Sequence, residues 1–303
     1  MPVERLLETV TSVMQTAGYQ VSQPCTIRPS SFDLICGDKE VLVVIKVVSH
    51  IDSVSEDISF DLDLIAQHLQ AFPLIVGERA RDSELERGAV YIRHGIFAIN
   101  VATLYDYFVD RIPPLIYASP GGLYVNIDGT LLRNLRDRHN LSLGDLAHLL
   151  GVSRRTISKY ESGMGTTVDI AARIEELFDT AIAMPIDILN YRSTLVRVPE
   201  HMIQDVPQDL ERMGMEVHTT RRAPFEVLAL FKKETILTSY GSAERVEKRA
   251  PLIANISQIA QVHALCIIAD YHKQKKIGKT LVIGEERLHK LEDGSELIDL
   301  MKE

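Results

Sequence analysis

The side chains with the plainest chemical potential lie between residues 153 and 159: Ser153, Arg154, Arg155, Thr156, Ser158 and Lys159. On a helix, with Ile157 and Tyr160 turned inward, they place two guanidinium groups and an ammonium on one surface. Two arginines in a first turn sit at the positive end of the helix dipole, where they cost stability. Breaks of a local rule of this kind concentrate at functional sites. An external anion removes the penalty, and the phosphate of DNA is one. Arg also matches the edge of guanine in the major groove. Other chemistries find little support. The ten His and three Cys (Cys25, Cys36 and Cys266) form no HxxxH, CxxC or mixed cluster, so no metal site and no cofactor is expected. Ile277-Gly278-Lys279-Thr280 contains the GKT of a phosphate loop, but Lys273 stands where the leading glycine is required.

The elements that would position these cations are legible around them. Leu146, Ala147, Leu149 and Leu150 form one apolar set, Gly151 and Val152 interrupt it, and Ile157 and Tyr160 resume at helical spacing. Ser142 with Asp145 three residues on is a capping box, and Ser153 caps the second helix. Ala147 is small where crossing helices meet most closely, and Gly151 supplies the positive φ of a sharp turn. The segment resembles the helix-turn-helix of the lambda-repressor/Cro (XRE) class, with the motif at Leu143–Ser162. Ala147, Gly151, Val152, Ile157 and Tyr160 fall where that class keeps its core. Leu143 stands where the class often has a Gln that braces the backbone contact. The plain alternative is an ordinary helical hairpin.

The chain has 303 residues, enough for two or three domains, and a formal net charge of −9. The charge is uneven. Residues 1–129 carry a net of −8, whereas residues 130–163 carry six basic against three acidic side chains, with Arg133, Arg136 and Arg138 among the basic ones. The net-basic block coincides with the motif, and local field matters more than total charge. No long apolar run suggests a membrane span. The scattered cysteines and an N-terminus unlike a signal peptide suit a reducing, cytoplasmic setting.

In chain order, a helix over residues 3–17 stops at Gly18. Strands at 32–36 and 40–48 flank Gly37-Asp38 as a hairpin, a helix from Ser53 or Ser55 runs to about Gln70, and strands at 72–76, 89–94 and 96–100 precede a helix at 101–109. A Pro120-Gly121-Gly122 hairpin leads into helices at about 131–139, across the motif, and at 168–177. Residues 190–202 have the composition of a linker. A second α/β pattern follows: strands at 225–230 and 234–239, a helix at 243–262 containing Pro251, strands at 264–269 and 280–283, and two closing helices. Lys273, Lys275 and Lys276 are expected in a solvated loop.

The two α/β stretches resemble each other. Phe32-Asp33 aligns with Phe225-Glu226 at an offset of 193, and the Ile-Ala-Gln of each long helix aligns at an offset of 194 (Ile65 with Ile259). Two copies of one module then flank the helical domain. Asp33, followed by a strand carrying Lys46, resembles the restriction-endonuclease-like PD-(D/E)xK pattern. The resemblance implies two carboxylates that hold Mg²⁺ and a lysine that assists the attacking water. The second carboxylate belongs two residues before the lysine, where this sequence has Val44. Glu56 is a candidate substitute. In the second copy Glu226 replaces Asp33 and Ser239 takes the place of Lys46. A buried Asp33–Lys46 pair in a disarmed site is the preferred reading.

The order of parts resembles an archaeal family of helix-turn-helix transcriptional regulators. The expected fold class is α/β plus all-α: a central four- to five-helix lambda-repressor-like domain flanked by two similar α/β modules, over residues 1–114, 115–189 and 200–303. The expected function is a sequence-specific regulator without enzymatic activity, binding double-stranded DNA at a pseudo-palindromic operator as a homodimer. Arg155, Thr156 and Lys159 are assigned to bases, and Ser153, Arg154 and Ser158 to the backbone. A metal-dependent nuclease and an antitoxin-like interaction protein are the alternatives.

Overall fold

The computed structural model describes residues 2–25, 27–81, 83–190 and 205–302. Its first unit opens with α1 (Val3–Thr16), which ends where Gly18 turns to φ +90°. Then come β1 (Gln20–Val21), β2 (Leu34–Gly37) and β3 (Leu42–His50). Between β2 and β3, Asp38 holds the turn by accepting from the Glu40 and Val41 amides at 2.8 and 2.7 Å. Ser55 caps α2 (Glu56–His68), and β4 (Phe72–Ala80), β5 (Ser83–Glu84), β6 (Ala89–Arg93) and β7 (Ile96–Ile99) complete the sheet. Asn100 caps α3 (Val101–Phe108) by accepting from the Thr103 amide at 2.8 Å. β3, β4 and β7 are parallel, and their near-continuous Val, Ile and Leu are buried on both faces. One face packs on α1 and α3.

Next come β8 (Ile116–Ser119) and β9 (Gly122–Val125), joined through the Pro-Gly-Gly turn, then α4 (Gly129–Arg138), α5 (Leu143–Leu150), α6 (Arg154–Glu161), β10 (Thr166–Thr167) and α7 (Val168–Phe178). β8 pairs in parallel with β6, Ala89 opposite Ile116, so the helical unit is continuous with the first sheet. The linker expected over 190–202 lies, from residue 191 on, outside the described residues.

The last unit contains α8 (Asp205–Arg212), β11 (Glu216–Thr219), β12 (Val227–Phe231), β13 (Glu234–Gly241), α9 (Ala243–Ala260), β14 (His263–Ile268), β15 (Lys275–Ile277), β16 (Thr280–Gly284), α10 (Glu285–His289) and α11 (Gly294–Lys302). α8 and β11 had no counterpart in the sequence reading. The spacing of Val206, Leu210 and Met213, all buried, is the signal that was available. Lys275 and Lys276 stand on β15 rather than in a loop, because that segment pairs with β16 and closes the sheet edge.

The last sheet repeats the first in order and sense. β11, β12, β13, β14 and β16 match β1, β2, β3, β4 and β7, and β15 stands beside β16 as β6 does beside β7. Two hydrogen bonds fix the correspondence: the Val47 amide donates to Asp33 Oδ2 at 2.8 Å, and the Tyr240 amide to Glu226 Oε2 at 3.1 Å. Val76 lies opposite Val47, and Ile267 opposite Tyr240, which gives an offset of 191 beyond the helices. Gln70 and Gln261, both with positive φ just past a helix end, agree with 191. The Ile-Ala-Gln match at 194 is therefore slipped by three residues. That is nearly one helical turn, so the slipped register still superposes buried positions on buried positions.

The two modules pack on each other within the chain. α2, α9 and the adjoining sheet faces share one core, in which Phe32 and Phe225 lie 6.4 Å apart. These are matching positions of the repeat, so an approximate two-fold axis passes between them. The polar contacts across the seam run both ways. Asp61 Oδ2 accepts from the Arg221 and Arg222 amides at 3.2 and 3.1 Å, and Asn255 Oδ1 accepts from the Gln23 amide at 2.7 Å. One face of each module is thus buried inside the chain itself.

Candidate nucleic-acid interface

Local chemistry builds the helical unit. Ser142 Oγ accepts from the Asp145 amide at 3.1 Å, while the Asp145 carboxylate accepts from the Ser142 amide at 2.8 Å, a complete capping box at the start of α5. Those bonds hold the Asp145 carboxyl below its ordinary range. α5 ends on Gly151 at φ +69°, where the Val152 amide returns to the Ala147 carbonyl at 3.0 Å. Ser153 then caps α6, accepting from the Thr156 amide at 3.0 Å. α4 starts against the end of α6 at Gly129, where an added Cβ would meet the Tyr160 carbonyl oxygen at 2.5 Å.

The result separates two faces of α6. Ile157 and Tyr160 are buried with Leu146, Ala147, Leu150 and Ile174, and Val152 is half-buried against the same core. Arg154, Arg155, Ser158 and Lys159 are exposed, as is Ser153. Thr156 is half-buried, and its hydroxyl shares a 2.8 Å hydrogen bond with Ser153, so it is tied into the cap rather than pointing freely outward. Arg154 passes over Gly144, 3.7 Å from a Cβ placed there, and its charge lowers the Asp145 pKa, so part of its dipole penalty is met inside the motif. Leu143, at the place where the XRE class often has a Gln, packs half-buried against the core.

Arg136 is a residue that sequence reasoning misplaced. It was counted among the basic field, yet its Nε donates to Glu161 Oε1 at 2.5 Å, its Nη2 to Glu161 Oε2 at 3.3 Å and its Nη1 to the Leu141 carbonyl at 3.0 Å. Its side chain is 12% exposed and that of Glu161 6%, so this cation is spent on fixing α4 to the end of α6. Arg133 also approaches Glu161, at 3.5 Å. Only an i-to-i+25 contact pairs these residues, and no local pattern announces it.

The nuclease-like residues Asp33 and Lys46 come together as a buried pair. Lys46 Nζ lies 3.0 Å from Asp33 Oδ2, Arg28 Nη1 lies 3.5 Å from Asp33 Oδ1, and both Asp33 and Lys46 are buried. Val44, two residues before Lys46 on the same strand face, is buried in the shared core of the modules. Glu56 is exposed at the first turn of α2. No group of three His, Cys, Asp or Glu side chains suited to a metal occurs among the described residues. In the second module Glu226 is paired by Arg245 at 2.7 Å and by Arg249, both from α9, so the cation has moved from strand to helix.

Residues 3–114 match the model of a PD-(D/E)XK superfamily domain, and residues 132–183 match a helix-turn-helix model. A protein of Methanoculleus marisnigri named "Putative HTH-type transcriptional regulatory protein" is 60% identical over the whole of both chains. One of Methanoregula boonei with the same name is 60% identical over 99% of this chain and 96% of its own. One of Natronomonas pharaonis, named in the same way, is 38% identical over 98% and 97%. The chain belongs to this archaeal family of HTH-type transcriptional regulatory proteins. No solved structure matches it. The relatives match over nearly the whole chain, both α/β stretches and the helix-turn-helix included. No helix among the described residues of this family member is long and apolar enough to cross a membrane.

Proposed function

We propose that the chain is a sequence-specific DNA-binding transcriptional regulator that acts through an XRE-type helix-turn-helix, as a homodimer and without enzymatic activity. The observation that carries this reading is the division of α6: Ile157 and Tyr160 are anchored in the core, while Arg154, Arg155, Ser158 and Lys159 stand in solvent. Arg155 and Lys159 are assigned to base edges, with Thr156 beside them. Ser153, Arg154 and Ser158 are assigned to phosphates. One such unit neutralises few phosphates, and a two-fold pair of helices about 34 Å apart would read a pseudo-palindromic operator on one face of the duplex. The units are 1–114, 115–189 and 200–303, with the first and last serving as a scaffold. The absence of a carboxylate at Val44 supports a scaffold role over cleavage, since a lone carboxylate beside a lysine leaves a hard cation short of charged ligands. The setting is cytoplasmic.

Selection of bound fragments from a random DNA library, followed by gel-shift titration of the winner, tests the reading. The expected result is one enriched motif with dyad symmetry, retarded as a 2:1 complex. Enrichment without any motif, or Mg²⁺-dependent cleavage of the library, would overturn it.

A further inference from the structure

The last module holds a cavity of about 500 Å³ between the segment after β14 and α10. Its walls are cationic: Lys273 on one side, Arg287 and Lys290 on the other. All three are exposed and have no acidic partner among the described residues. The cations just outside it are already engaged. Lys275 pairs with Glu247, Lys276 donates to the Met301 carbonyl and Arg212 to the His289 carbonyl. The one lining carboxylate, Glu286, faces His272 at 3.5 Å. Tyr271 and Leu291 add a flat ring and an apolar wall. At Gly284 a Cβ would overlap the Tyr271 carbonyl oxygen, so the chain after β14 lies directly on the start of α10.

The position is not accidental within the fold. The first module has a cavity of about 380 Å³ near the matching corner, against the last residues of β4, the end of β5 and the start of α3. β4 and α3 are the counterparts of β14 and α10. There the ionisable walls are Glu78, Arg79 and Glu84, with Asn100 committed to capping α3. The carboxyl ends of parallel strands are where open α/β sheets bind ligands. A cleft occurs in both modules, and in the last one the lining cations Lys273, Arg287 and Lys290 outnumber the one lining carboxylate, Glu286, whereas in the first Glu78 and Glu84 outnumber Arg79. Three cations converging on one cleft repel each other until an anion enters.

We propose that this cleft binds a phosphorylated small molecule of nucleotide size, with the phosphate held by Lys273, Arg287 and Lys290 and a flat ring laid toward Tyr271 and Leu291. The volume falls within the usual range of small-molecule sites, roughly 300–1,000 Å³. The site lies outside the helix-turn-helix and does not depend on the DNA-binding reading.

Calorimetric titration of the intact protein, without DNA, tests it with AMP, ATP, adenosine and inorganic phosphate as probes. AMP or ATP should bind with a dissociation constant below about 1 mM, and adenosine about tenfold more weakly. That comparison needs no variant. The double variant Lys273→Glu/Lys290→Glu, at two exposed positions, should weaken nucleotide binding about tenfold or more, whereas Lys39→Glu on the distant hairpin should leave it unchanged. Absence of heat with every nucleotide at millimolar concentration, or binding indifferent to the double variant, overturns the proposal. So does a double variant that only reduces the salt dependence of DNA binding, which would make the cleft a contact to the DNA backbone.

Discussion

At Arg155 the balance of costs is simple. The guanidinium is exposed in the first turn of α6, where the helix dipole opposes it and no partner within the described residues relieves it. If it reads a base, Arg155→Ala should cost roughly 1–3 kcal/mol at the selected operator and relax the preference at one base pair. A gel-shift titration against operator variants measures both. Arg154→Ala should instead weaken all sequences alike and flatten the salt dependence. Lys46 presents the opposite case, a cation with its work inside the protein. Lys46→Ala leaves Asp33 buried with, among the described residues, Arg28 at 3.5 Å and the Val47 amide, so urea denaturation should show a loss of about 3–5 kcal/mol. Lys46→Ala together with Asp33→Ala should lose less, because no uncompensated charge remains.

At the scale of elements, α6 is held at both ends by side chains, Ser153 at its start and Glu161 at its end. Ser153→Ala removes the cap at its start and should destabilise the helical unit by about 1 kcal/mol. Glu161→Gln at its end should do more, since it breaks the more buried of the two ion pairs of Arg136, which is 12% exposed and then keeps as ion partner the exposed Asp137, at 2.7 Å. Thermal melting of the helical unit checks the order of these two. The helix-turn-helix was legible from sequence because its determinants are local: two serine caps, Gly151 in a turn only glycine adopts without strain, and apolar residues at helical spacing. The Arg136–Glu161 clamp was not legible, because its two partners sit on different helices and each alone reads as a surface charge. The slip in the repeat has the same origin. A helix tolerates a shift of three residues with little change of face, whereas strand pairing does not, and the strands fixed the offset.

At the scale of the whole molecule, the seam joins the two modules through one core and gives the chain an acid-sensitive point. His68 and His218 stack at 4.0 Å across the seam, and burial together with His218 holds the His68 pKa down to about 4, while Glu216 pulls the other way. A depressed histidine takes up its proton in the unfolded chain first. Stability is therefore unaffected above about pH 6.5 and falls as pH drops from there toward 4. Asp61, whose pKa burial raises, acts with the opposite sign within the carboxylate range. Chemical denaturation at pH 7 and pH 5 should show a lower midpoint at pH 5, and His68→Gln should narrow the gap. Removal of residues 200–303 should expose the α2 face with Phe32 and Ile65, leaving a truncated chain that aggregates or binds a hydrophobic dye. A monomeric, compact truncation on size-exclusion chromatography would show that the first module does not need its partner.

The amino-acid sequence by itself determined the motif, the caps, the strand runs and the presence of two related modules, since each rests on residues close together in the chain. Only the tertiary structure decided that Arg136 is turned from solvent to Glu161, and that the modules close on each other about Phe32 and Phe225. Those outcomes depend on contacts between residues far apart in the chain, such as Ser31 with Arg222 and Asp61 with Arg221. Hydropathy and spacing record how much of a side chain is to be buried, but not which distant surface will bury it.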